Sequence, residues 1–137
     1  MVVQDARSKP GRKILVAEDD VGLRDMVVEI LESSGYEVVP ADDGQQAMNY
    51  LAAAEETPAA VLLDLMMPVF DGWDCVRAMR ADARLWQIPI VIMSETESGV
   101  AAGADMFLRK PFRVDELLDT IDHFARGDRG RGGGHLS

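Results

Sequence analysis

The 137-residue sequence is poor in cysteine, histidine and aromatic side chains. Its single cysteine, Cys75, excludes an intrachain disulfide and offers no cysteine cluster for zinc. No apolar run approaches the roughly 20 residues that a membrane-spanning helix needs, and the polar segment before Ile14 lacks the apolar stretch of a signal peptide. We therefore expect a soluble, cytoplasmic protein that has no membrane partner.

Basic side chains are also few: there are 14, against 24 acidic ones, and the formal net charge is -10. Residues 14–125 alone carry 22 acidic and 7 basic groups. Because nucleic acids bind to positively charged surfaces, this balance predicts no direct DNA binding.

Composition divides the chain into three segments. We expect a flexible lead-in over residues 1–12, one folded domain over 13–126 and a flexible Gly/Arg-rich tail over 127–137. The tail is too short to form a DNA-binding or catalytic unit, which predicts a stand-alone domain.

Short apolar runs alternate with amphipathic stretches along the middle of the chain. The runs are residues 14–17, 36–39, 61–63, 90–93 and 106–108, and the stretches between them largely repeat apolar residues at helical spacing. Apolar strands that alternate with helices favour a parallel sheet covered on both faces. With right-handed crossovers, this length predicts an α/β fold with a five-stranded, doubly wound, flavodoxin-like sheet of order 2-1-3-4-5.

Polar side chains follow these strands at the edge where such sheets place their functional crevice. Glu18 and Asp19 follow the first strand, Asp64 ends the third, Ser94 ends the fourth and Lys110 follows the fifth. Carboxylates gathered at one edge repel each other unless a cation neutralises them. Oxygen ligands without His or Cys favour Mg²⁺.

This combination of groups suits phosphoryl transfer to a carboxylate. An aspartate can act as the nucleophile and hold an aspartyl-phosphate. The charge of the transferring group spreads over three oxygens, which Mg²⁺, the Lys110 ammonium and the Ser94 hydroxyl could each help to neutralise. No Gly-rich phosphate cradle follows the first strand, so the phosphoryl donor must be another molecule.

Five motifs in register resemble the receiver domain of two-component response regulators. They are ILVAEDD at 14–20, DLMMP at 64–68, the Asp71-Gly72 pair, IVIMS at 90–94 and GADMFLRKPF at 103–112. Together they extend the resemblance over about residues 13–125. The resemblance implies a phosphoprotein of a phosphorelay in signal transduction.

The resemblance also implies a role for each site residue. Asp64 would be the phospho-acceptor. Glu18 and Asp19 would hold Mg²⁺ together with Asp64 and the backbone carbonyl of Met66. Lys110 would be the cation that assists the transfer.

Two further residues would form the switch, and two would set the lifetime of the phosphoryl group. The Ser94 hydroxyl would move towards the phosphoryl group once it is attached. Phe107 would be the aromatic switch residue, at a position where the family often has Tyr. Met66 and Glu95, beside the expected path of attacking water, would tune dephosphorylation.

The sequence departs from the family most between the fourth and fifth strands. Only 15 residues separate Ser94 from Lys110, roughly six fewer than is usual, and six residues amount to about 9 Å of helix. We therefore expect a shortened fourth helix.

The leading hypothesis is a phospho-accepting receiver that is a signalling protein and not an enzyme, although it assists its own phosphorylation and dephosphorylation. Its partners would be a histidine kinase or histidine phosphotransfer protein and a downstream target protein, whose affinity for it changes with phosphorylation. The alternative is a pseudo-receiver that binds proteins independently of phosphorylation. A hydrolase with an aspartyl-phosphate intermediate is disfavoured because no second acid lies two residues after Asp64.

Overall fold

A computed structural model of the chain describes residues 12–96 and 103–125. The elements in chain order are β1 (Lys13–Ala17), α1 (Val21–Ser33), β2 (Glu37–Ala41), α2 (Gly44–Ala53), β3 (Ala60–Asp64), α3 (Gly72–Arg80), β4 (Ile90–Ser94), β5 (Met106–Arg109) and α4 (Val114–Ala125). The helix predicted after the fifth strand is α4.

The five strands form one parallel sheet in the order β2-β1-β3-β4-β5. The predicted fold class and strand order are therefore confirmed. The chain order reverses between β1 and β3, where Ala17 lies opposite Leu63. In such sheets the crevice beyond the carboxyl ends of these two strands is the usual place of a functional site.

Alternate residues of the strands point to opposite faces of the sheet and fill two separate cores. One core packs against α2 and α3 and the other against α1 and α4. The three inner strands, β1, β3 and β4, are almost wholly buried because both faces of the sheet are covered there. The largest fully buried side chains are Ile14, Leu15, Leu31, Leu51, Leu62, Leu63, Met79, Ile90, Ile92, Met93, Leu117 and Ile121.

Three helices begin at an aspartate N-cap close to the carboxyl end of the preceding strand. The side chains of Asp20, Asp43 and Asp71 accept hydrogen bonds from the third backbone amide of α1, α2 and α3. Such caps satisfy amides that have no partner inside the helix. The helices therefore start at the edge of the sheet where the acidic residues lie.

The connection between β4 and β5 is short, as the sequence predicts. Its described residues, 95–96 and 103–105, contain no helix. Residues 97–102, on which the expected shortened helix falls, lie outside the described ranges.

The flanking segments fall almost wholly outside the described ranges. Of the predicted lead-in only Arg12 is described, and its guanidinium donates a hydrogen bond to the carbonyl of Ala125 at the end of α4. The predicted boundaries of lead-in, domain and tail stay predictions. Within the described ranges, no helix combines the length and the apolar character needed to cross a bilayer.

Candidate functional site

Three carboxylates meet at the carboxyl edge of β1 and β3. Glu18 and Asp19 directly follow β1, and Asp64 is the last residue of β3. One carboxylate oxygen of each residue lies within 4.8 Å of the others. Glu18 and Asp64 are only 1% and 4% exposed, whereas Asp19 is exposed.

The ammonium group of Lys110 lies between the two buried carboxylates. Its Nζ donates hydrogen bonds to Oε1 of Glu18 and to Oδ1 of Asp64, each at 3.0 Å. The backbone amide of Lys110 donates to the carbonyl of Ser94 at 2.7 Å, which fixes the residue beside the end of β4. Sheet pairing thus brings a single cation to the two buried acids.

The electrostatics of the cluster follow from its burial. Burial away from solvent raises the pKa of Glu18 from its usual 4.5 to about 7. Hydrogen bonds from the Asp20 amide and from Lys110 lower the pKa but do not offset the effect of burial. Burial alone would lower the pKa of Lys110, but its hydrogen bonds to Asp64 and Glu18 raise it above 10.5. Lys110 therefore stays charged, and one cation faces three acidic groups.

The donor set fits a hard divalent cation. It consists of oxygens alone, and the raised pKa of Glu18 indicates that Lys110 by itself does not compensate the buried charge. No described residue hydrogen-bonds to the Asp19 side chain. Mg²⁺ takes a few carboxylates and keeps several waters, which suits a cluster with one exposed acid.

A pocket of about 510 Å³ opens over this cluster. It is lined by Glu18, Asp19, Asp20, Asp64, Met66, Ser94, Glu95, Thr96 and Lys110. The structure therefore brings together every predicted site residue except Phe107. Met66 is 73% exposed and lies on the rim of the pocket, as does the exposed Glu95.

The hydroxyl of Ser94 is buried at the end of β4 and engaged by a neighbour that the sequence analysis did not single out. Its Oγ accepts a hydrogen bond from the Thr96 amide at 3.0 Å and lies 3.0 Å from the Thr96 hydroxyl. The signal in the sequence was Ser94 itself at a strand end, because serine hydroxyls there commonly bond to the backbone amide two residues on.

Phe107 does not line the pocket. It lies on β5, half-buried on the face of the sheet that carries α2 and α3. Its ring centroid is 5.8 Å from that of Trp73 on α3, and the planes are tilted by 47°. An aromatic pair therefore joins the edge strand directly to α3.

The loop from β3 to α3 is held tightly against the acceptor strand. A side-chain methyl at Gly72 would lie 2.7 Å from the carbonyl oxygen of Asp64 and 2.9 Å from Cα of Leu65. The Gly72 amide donates to the carbonyl of Leu65 at 3.0 Å. Only glycine permits this close approach, which fixes the position of α3 relative to Asp64.

Arg24 also contacts the site, and the sequence analysis did not identify it. Its Nη1 donates to the backbone carbonyl of Glu18 at 2.8 Å. Its position was a signal in the sequence. A positive charge in the first turn of a helix is unfavourable for the helix dipole, which indicates that Arg24 has a role other than stabilising the helix.

Comparisons with known proteins agree with this geometry. The sequence profile of the family described as "Response regulator receiver domain" matches residues 14–122. The chemotaxis response regulator CheY4 of Vibrio cholerae is 32% identical, with a TM-score of 0.76, over 82% of this chain and 98% of that one. The receiver domain of the sensor histidine kinase PA1611 from Pseudomonas aeruginosa, solved with a magnesium ion coordinated in its active-site cleft, is 28% identical, with a TM-score of 0.75, over 85% of this chain and 98% of that one.

The curated relatives correct one expectation. The DNA-binding response regulator MtrA of Mycobacterium tuberculosis is 37% identical over 116 residues, which cover 80% of this chain and 49% of MtrA. The chain spans about half the length of the curated relatives it matches. The expectation of no direct DNA binding, which rested on the net charge, is therefore wrong. The charge of one segment does not determine what the longer proteins that carry such a segment bind. The stand-alone arrangement stays a prediction.

Proposed function

The chain belongs to the response regulator receiver domain family of two-component signalling, and from this premise we propose that Asp64 accepts a phosphoryl group from a phosphohistidine. The donor would be a histidine kinase or a histidine phosphotransfer protein. The observation that carries the proposal is the Lys110 ammonium, hydrogen-bonded to Asp64 within a cluster of three carboxylates.

In the proposed step a carboxylate oxygen of Asp64 attacks the phosphorus of the phosphohistidine. A P–O bond to Asp64 forms as the P–N bond to the imidazole breaks, and the imidazole leaves with the electron pair and takes up a proton. A carboxylate can attack directly, so this step needs no general base to activate its nucleophile.

Charge neutralisation supplies most of the catalysis in such transfers. Glu18, Asp19 and Asp64, with the carbonyl of Met66, would hold Mg²⁺, which when bound neutralises charge on the phosphoryl oxygens. Lys110 would exchange one of its hydrogen bonds for a phosphoryl oxygen. The hydroxyl of Ser94 would leave Thr96 and donate to another.

Phosphorylation would then change the protein-binding surface through the switch residues. Movement of Ser94 at the end of β4 would displace the neighbouring strand β5. In that strand pair Ser94 lies opposite Arg109, and Ile92 lies opposite Phe107. Because Phe107 packs against Trp73, we propose that the change is passed to α3. The chain acts in this scheme as a signalling protein, and a cytoplasmic location stays a prediction.

Two rim residues would set how long the phosphoryl group lasts. Met66 and Glu95 line the pocket at its exposed side, where water must approach. A polar Met66→Asn side chain could orient water and is expected to speed dephosphorylation, whereas Glu95→Ala would remove a charge that interacts with that water. Release of inorganic phosphate from the isolated phosphoprotein measures both effects, and rates equal to that of the wild type in both variants would refute the tuning roles.

The proposed function is tested by incubating the protein with Mg²⁺ and acetyl phosphate and measuring intact mass. The wild type and the control Asp119→Asn, which alters an exposed acid of α4, should gain one phosphoryl group. Asp64→Asn and wild type in a chelator should gain none. A folded wild type that never gains the group would overturn the proposal and favour the pseudo-receiver, which binds its partners independently of phosphorylation.

A further inference from the structure

Arg24 lies on α1 with its guanidinium turned back towards the end of β1. The Arg24 side chain is 14% exposed. Its Nη1 donates to the carbonyl oxygen of Glu18 at 2.8 Å and lies 3.2 Å from Oδ1 of Asp42. The guanidinium therefore bridges the carboxyl ends of β1 and β2.

The ion pair with Asp42 does not by itself explain this arrangement. Asp42 is 62% exposed, and exposed ion pairs contribute little to stability. Asp42 is itself held by Gln46, whose Oε1 accepts from the Asp42 amide and whose Nε2 donates to Oδ2. Asp42 thus orients the guanidinium, and the shorter contact is the one to Glu18.

The contact from Arg24 gives the last polar group of Glu18, its carbonyl oxygen, a hydrogen-bond partner. The Glu18 amide donates to the carbonyl of Ala41 at 3.2 Å. The two carboxylate oxygens of Glu18 accept from Lys110 and from the Asp20 amide, each at 3.0 Å. With Arg24 bound to its carbonyl, every polar group of Glu18 has a partner.

The same contact fixes the direction of Asp19. The carbonyl of Glu18 belongs to the peptide unit that joins Glu18 to Asp19, so the hydrogen bond from Arg24 sets the plane of that unit. No residue in the described ranges hydrogen-bonds to the Asp19 carboxylate. Its position in the acidic cluster depends on its backbone and, through it, on Arg24.

We propose that Arg24 is a positioning residue of the divalent-cation site, which holds the Glu18–Asp19 peptide so that both carboxylates face the cation. This inference rests on the proposed function insofar as that function includes a Mg²⁺ site. Arg24 acts through backbone and does not touch the cation.

Positioning and simple electrostatics predict opposite effects when the guanidinium is removed. Arg24 is a positive charge close to a cation site, so its charge alone weakens binding of a second cation, and loss of that charge would tighten Mg²⁺ binding. Loss of positioning would weaken Mg²⁺ binding, because groups that orient metal ligands typically contribute about 10–100-fold to affinity. The sign of the change therefore separates the two roles.

The experiment measures the Kd for Mg²⁺ by isothermal titration calorimetry, without any phosphoryl donor. Arg24→Met is compared with wild type and with Arg77→Met, which removes one positive charge from an exposed position on α3. We expect Arg24→Met to raise the Kd about tenfold or more, and Arg77→Met to change it less than about twofold. Arg24→Lys keeps one donor and should give an intermediate Kd.

Urea unfolding without Mg²⁺, carried out at the temperature of the titrations, checks that every variant is folded under those conditions. Should Arg24→Met not fold, Arg24→Lys alone should still raise the Kd measurably. An unchanged or lower Kd in the folded Arg24 variants would overturn the positioning role while leaving the proposed function intact. Failure of the wild type itself to bind Mg²⁺ would overturn both.

Discussion

Glu18 is expected to make the stability of the Mg²⁺-free protein fall as the pH rises from about 4.5 to about 7. The carboxyl group is 1% exposed, and burial raises its pKa from 4.5 to about 7. In this window the folded protein holds a proton that the unfolded chain has lost. Because the folded state binds more protons, its free energy of unfolding decreases with rising pH.

The size of the effect follows from the two pKa values. A difference of about 2.5 pKa units, at 1.36 kcal/mol each, corresponds to about 3 kcal/mol of unfolding free energy. The loss should be complete above about pH 8. Lys110 does not contribute in this window, because its raised pKa keeps it protonated throughout.

Urea unfolding in a chelator at about pH 5 and about pH 8 measures this loss. Other acids also titrate, so the comparison is made with Glu18→Gln, which cannot ionise, and with Glu29→Gln on the exposed side of α1. The wild type and Glu29→Gln should lose about 2–3 kcal/mol more between the two pH values than Glu18→Gln does, since a part of the full difference is already lost below pH 5. Equal losses in all three proteins would refute the assigned titration of Glu18.

Three further predictions concern the surroundings of the site. Gly72→Ala should lower stability by about 1–3 kcal/mol in urea unfolding and slow the labelling of Asp64 by acetyl phosphate, because the new methyl would lie 2.7 Å from the Asp64 carbonyl oxygen. Normal stability and labelling would contradict that close approach. In a Trp86→Phe protein the fluorescence of Trp73 should change on phosphorylation, since its ring packs against the switch phenyl ring of β5, and an unchanged spectrum would exclude the route through α3. Cys75 should resist iodoacetamide in the native protein and react in urea, because burial and nearby acids raise its pKa to about 12, whereas rapid native alkylation would contradict its burial.

The fold could be predicted from the sequence because its signals are local and repeated. Apolar runs separated by amphipathic stretches indicate buried parallel strands between helices, and each aspartate before a helix indicates where that helix starts. The strand order then follows from handedness and chain length. The gathering of Glu18, Asp64 and Lys110 follows in turn, since β1, β3 and β5 are parallel and their carboxyl ends lie at the same edge of the sheet.

Other features could not be predicted, because they depend on how side chains from distant elements pack. The contact of Arg24 with Glu18 requires the turn between β1 and α1 to bring the guanidinium back over the strand end. The pairing of Trp73 with Phe107 depends on the distance between α3 and the edge strand. The full burial of Cys75 likewise depends on packing between helices, because the first turn of α3 packs against Gly44 at the start of α2.

The charge argument failed for a different reason. The acidic excess describes residues 14–125 correctly, and part of it is the cluster at the site. The error was to extend it to the binding partners of a whole protein, when relatives named as DNA-binding regulators carry a similar segment in about half their length.

Identification of the phosphorylated residue tests the proposed function most directly. Protein incubated with Mg²⁺ and acetyl phosphate is reduced with borohydride, which converts an aspartyl-phosphate to homoserine, and its peptides are mapped by mass spectrometry. We predict homoserine at position 64 and unmodified aspartate at positions 19, 20 and 71. Modification at another acid, or none at position 64 in a folded protein that binds Mg²⁺, would contradict the assignment of Asp64 as the phospho-acceptor.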